Sequence, residues 1–93
     1  MTDEKRAAMH AAIDEAIDAV LAECPGASVT YVTCVVTADG EHLASVSFLS
    51  PGGTRCQFAP WSMAPWSVSS DRPESVFAAS LSGALSAVEV SDV

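Results

Sequence analysis

The sequence predicts an α+β domain in the order helix, three-stranded antiparallel meander, helix, with both helices on one face of the sheet. Three observations carry this. Apolar residues recur at three- and four-residue spacing over the first 24 positions, β-branched and aromatic residues fill the middle of the chain between two short turns, and a helical apolar period returns near the end. With 93 residues, the chain is read as one domain, 1–93, because a polypeptide of this size supports a single core.

The first helix is expected from Thr2 to about Cys24. Met9, Ile13, Ala16, Ile17, Val20 and Cys24 fall on one of its faces. Thr2 or Asp3 suits the N-cap, Asp3 and Glu4 favour the positive end of the helix dipole, and Pro25-Gly26 ends the helix.

Residues 29–37, VTYVTCVVT, and the later HLASVSFLS flank Asp39-Gly40, which reads as a β-hairpin. A two-residue turn would set Val36 opposite Leu43. A three-residue loop instead pairs even positions with even ones, so that Val32, Cys34 and Val36 share an apolar face with Ala44, Val46 and Phe48. The three-residue loop is therefore predicted, with Gly40 in the left-handed conformation.

SPGG at 50–53 reads as a second turn, and TRCQF at 54–58 as a third strand with Cys56 and Phe58 facing inward. Two prolines then place 59–67 in an extended or polyproline-like conformation or an edge strand rather than the interior of a sheet. A second helix is predicted from an Asp71 N-cap, with Pro73 in its first turn and Glu74 closing a capping box. It runs to about Val90 and buries Phe77, Leu81, Ala84, Leu85 and Val88.

Composition narrows the function. Hydrophobic residues are 49% of the chain and mean hydropathy is +0.30, without an apolar run long enough to cross a bilayer. The charged start MTDEKR leads into a helical pattern rather than the apolar region of an export signal, so the expected location is cytoplasmic and no membrane partner is expected. Cys24, Cys34 and Cys56 are odd in number and lack CxxC spacing, which suits buried free thiols.

The predicted element order is also that of the double-stranded RNA-binding domain, which meets phosphates with lysines at the start of its second helix. Here that place reads DRPES, and the net charge is −8. Direct nucleic-acid binding is therefore not expected.

Catalytic material is sparse. His10 and His42 are isolated in sequence, the three cysteines have no evident fourth ligand for a metal, and SPGGT lacks the lysine and the following helix of a phosphate loop. No enzyme activity, metal or cofactor is predicted.

Two surfaces remain. Glu4, Asp14, Glu15 and Asp18 fall on the face of the first helix opposite its apolar stripe. Such a face attracts a basic protein, including one whose groove normally holds nucleic acid. The segment APWSMAPWS, 59–67, says almost the same thing twice and holds both tryptophans of the chain. Its prolines stiffen a backbone that presents Trp61, Met63 and Trp66, and rigid tryptophans are typical binding anchors. One ring is expected to plug the core and the other to face a partner, with Trp66 the exposed one because Trp61 lies nearer Phe58. The expected function is that of a small acidic non-enzymatic protein that binds another macromolecule, an inhibitor or adaptor such as a phage-encoded antagonist. A structural homo-oligomer, a homodimer included, with or without a small ligand between subunits, is the alternative.

Overall fold

A computed structural model describes residues 3–69 and 75–91, with the side chains of 88–91 outside the description. The elements are α1 (Asp3–Glu23), β1 (Ser28–Val36), β2 (His42–Leu49), β3 (Arg55–Phe58), β4 (Trp66–Val68), β5 (Val76–Ala78) and α2 (Leu81–Ser91). All strands pair antiparallel with their sequence neighbours, so the sheet order is β1-β2-β3-β4-β5. The α+β class is as predicted, but among the described residues the sheet has five strands rather than three.

The first hairpin has the predicted register. Val36 pairs with His42, Cys34 with Ala44 and Val32 with Val46. The Thr37 amide donates to the Glu41 carbonyl, and the Gly40 amide closes a turn on the Thr37 carbonyl. That leaves a three-residue loop with Gly40 at φ 86°. The second hairpin repeats the device: Ser50 donates to Thr54, Gly53 donates to Ser50, and Gly53 has φ 87°. In each loop the first residue is a hydroxyl amino acid that also accepts from the amide four positions on, Glu41 to Thr37 Oγ1 and Thr54 to Ser50 Oγ, both at 3.1 Å. The sequences TADGE and SPGGT thus share a turn grammar of hydroxyl, two free positions, and glycine.

Pairing between even positions continues across the sheet: Val46 with Phe58, Cys56 with Val68, Phe58 with Trp66 and Trp66 with Ala78. One sheet face therefore carries Ala44, Val46, Phe48, Cys56, Phe58, Trp66 and Val68, all buried. Ala16, Val20 and Cys24 from the α1 side and Leu81 and Ala84 of α2 belong to the same buried cluster. Both helices consequently cover one face, α1 chiefly over β2 and α2 over β4 and β5.

Three expectations need correction. β4 is an inner strand: Pro65 stands just before its first residue, where a missing N–H is tolerated, and Trp66-Ser67-Val68 alternates inward, outward, inward. Residues 76–78, expected in the second helix, form β5, and Phe77 is exposed on the uncovered face because its neighbours Val76 and Ala78 face the helices. α2 starts at Leu81, where the Ser80 hydroxyl accepts the Gly83 amide at 3.2 Å as an N-cap. The anticipated capping residues Asp71, Pro73 and Glu74, like Thr2, lie outside the described residues.

Candidate functional site

α1 is 21 residues long, about 30 Å. Ala16 and Val20 are buried, whereas Glu4, Asp14, Glu15 and Asp18 are all exposed. At 3.6 residues per turn those four carboxylates fall within an arc of about 100° on the side away from the sheet. The helical period read from the sequence thus brings them to one surface.

The doubled APWS motif takes two different conformations. Its first copy is a tight turn in which the Ser62 amide donates to the Ala59 carbonyl at 3.0 Å, with Pro60 at the position where its fixed φ suits a turn. The Ala59 amide donates to the Pro65 carbonyl at 2.8 Å, and the Ser62 hydroxyl accepts the Ala64 amide. The loop is held at its base and at its tip. It projects Met63, fully exposed, and Trp61, 50% exposed. The second copy enters β4.

The two indoles do divide between core and surface, but in the opposite sense to the sequence expectation. Trp66 is 5% exposed. Its ring lies 4.3 Å from that of Phe58 and packs edge-on to Phe48 at 6.1 Å. Distance along the chain from Phe58 misled, since the loop folds back and pairing places Trp66 directly beside Phe58. Pairing with β3 makes Trp66-Ser67-Val68 a strand, and its alternation then turns Trp66 and Val68 inward. Trp66 is a core residue, not part of an exposed contact surface.

A groove of about 280 Å³ lies between α1 and the start of the Trp loop. Ala12, Ala16 and Ala19 form its helical wall, Phe58 and Pro60 the opposite side, and Glu15, Glu41 and His42 also line it. Glu15 of the acidic helix and Pro60 at the start of the loop that bears Trp61 and Met63, 45 positions apart in sequence, therefore line one depression.

The remaining candidates stand apart. His10 is exposed on α1 and Cys34 is half-buried on β1. Cys24 and Cys56 are buried and unpaired. The Cys56 thiol is pushed up to about 11, chiefly by burial and further by the nearby Cys24, against a lowering hydrogen bond from the Ser50 backbone. Its Sγ also donates to the Thr54 carbonyl. A thiol held in that state is a poor nucleophile. Among the described residues no group of three or more His, Cys, Asp or Glu is arranged to hold a metal ion, and no helix is long and apolar enough to cross a membrane.

Sequence reasoning missed the uncovered sheet face. Tyr31, Ser47, Gln57, Ser67 and Phe77 form one cross-strand row from edge to edge, with an aromatic at each end and a polar floor between. They line a shallow trough of about 470 Å³ together with Arg55. The odd-numbered positions of the predicted strands held this row, but its outer members needed β5. Comparison with known proteins adds no relative: no family model, no curated protein and no solved structure matches the chain.

Proposed function

We propose that this protein is a small acidic, non-enzymatic binding module that docks on a basic surface of another protein, as an inhibitor or adaptor of nucleic-acid-handling machinery does. The observation that supports it best is the groove between α1 and Pro60, which sets Glu15 beside the loop that presents Trp61 and Met63. Apolar anchors fixed before binding lose little conformational freedom on association, and carboxylates at the rim steer a cationic partner. The contact set is Trp61 and Met63 for affinity, with Glu4, Asp14, Glu15 and Asp18 for steering. Trp66, being buried, acts only by holding the loop's return strand in place.

The test is an affinity capture from the native host with three baits: wild type, Trp61→Ala/Met63→Ser, and Asp14→Lys/Asp18→Lys. A partner retained by wild type, lost from both variants and eluted by salt supports the reading. A partner held equally by all three baits refutes the assigned surface.

A further inference from the structure

The sheet has two edges, and they differ sharply. β5 is three residues long, whereas β1 is nine residues, SVTYVTCVV, with no charge, proline or glycine. Natural edge strands are usually protected by lysine, proline, bulges or shortness. β1 carries one such device, an irregularity between Val29 and Tyr31 that leaves Thr30 as the extra residue, its hydroxyl donating to the Ser47 carbonyl. From Tyr31 to Val36 the strand is regular.

Its side chains are also unsatisfied. Val29, Tyr31, Val35 and Val36 are exposed by 38%, 63%, 44% and 60%. Val32 and Cys34 face the helical layer yet stay half-buried, since α1 lies mainly over β2. The Thr37 amide donates inward to Glu41. Backbone groups alternate along a strand, so the N–H and C=O of Val32, Cys34 and Val36 point to the free edge.

We infer that β1 is a homodimer seam, on which the β1 strand of a second copy pairs antiparallel to make a continuous ten-stranded sheet. A strand is self-complementary under a two-fold axis normal to the sheet, and an uncharged strand puts no like charges in contact although each chain carries −8. Centring the axis at Thr33 leaves the bulge outside the pairing. It sets Tyr31 opposite Val35 of the second copy, an aromatic against a β-branched residue, and lets Val32 and Cys34 exchange four ladder hydrogen bonds. Both copies then keep their helices on the same side. The four exposed side chains offer roughly 400 Å² per copy, about 800 Å² for the pair, which is below the ~1,200 Å² of stable interfaces, so the dimer is weak and dissociates on dilution. The two acidic helices, each over its own β2, lie three strand spacings apart, about 14 Å, which exceeds the Debye length of about 8 Å at physiological salt. Added salt therefore strengthens this association, the opposite of its effect on a basic partner, and the two proposals fail separately.

Sedimentation velocity from micromolar to millimolar protein, at low and at physiological salt, tests the seam. Wild type is expected to pass from monomer to dimer, more readily at higher salt, and Val35→Lys/Tyr31→Lys to weaken the dimer at least tenfold with an unchanged far-UV spectrum. In a Cys34→Ser background, Thr33→Cys is expected to form a covalent dimer under oxidised glutathione, since two such residues meet on the axis as a non-hydrogen-bonded pair. A monomer at all concentrations overturns the inference. So does a dimer indifferent to the lysines, or one that Thr33→Cys does not trap.

Discussion

Trp66 and Trp61 share a local sequence and differ in almost everything else. Trp66 sits on Phe58 and beside Phe48 in the buried face of the sheet, so Trp66→Ala is expected to cost about 3 kcal/mol or more in urea unfolding, as large core truncations do, and Trp61→Ala less than about 0.5 kcal/mol. In single-tryptophan variants acrylamide should quench Trp61 readily and Trp66 poorly. Comparable protection of both rings in the monomer would contradict the exposure of the loop. Cys56 supplies a second residue-scale test. Burial raises its thiol from an ordinary 9.0 to about 11, so the folded chain holds the proton where the unfolded chain has released it. The stability this confers is complete below pH 9 and is lost as pH climbs from 9 to 11. The unfolding midpoint of wild type should fall across that window more steeply than that of Cys56→Ala; parallel curves would show that the thiol is not linked to folding.

Both tight hairpins rest on glycines with positive φ, where a β-branched residue is strained. Gly40→Val and Gly53→Val are each expected to destabilise by about 1 kcal/mol or more. Their similar surroundings predict similar losses, measured by chemical denaturation, and a neutral result at either would show that its loop had rearranged. These turns were legible in the sequence because their demand is local: a left-handed position, a hydroxyl and a glycine all lie within five residues. α1 was equally legible, its many turns giving the period ample room. β4 and β5 were not, because three residues carry almost no periodic signal and pairing with a neighbour is what makes them strands. The Asp71-Pro73-Glu74 pattern suggested a helix start well before the Ser80 cap, and Val76-Phe77-Ala78, apolar throughout, did not mark itself as a strand. The site was half visible for the same reason. The acidic arc follows from α1 alone, whereas its junction with the Trp loop depends on β2 and β3 bringing Pro60 back under the helix.

On the scale of the molecule, charge and sheet are separated. The five strands carry one charged side chain, Arg55, while six carboxylates lie along α1. If that arrangement serves docking, Asp14→Lys/Asp18→Lys should slow association with a captured basic partner by about tenfold at low salt and leave the thermal midpoint nearly unchanged, because both residues are exposed. Stopped-flow or surface-binding kinetics read the effect, and an unaltered association rate would mean the face is merely solvated. The sheet order, finally, has a consequence for how the chain reaches this state. Each strand pairs only with the strands before and after it in sequence, so no segment waits for a remote partner and each closure spans a short loop. The β1–β2 hairpin, with the longest pairing and glycine-set turns on either side of β2, is expected to form first, with α1 collapsing onto it before β4, β5 and α2 add. Substitutions in β2 should then slow refolding, whereas those at the α2 end should chiefly hasten unfolding.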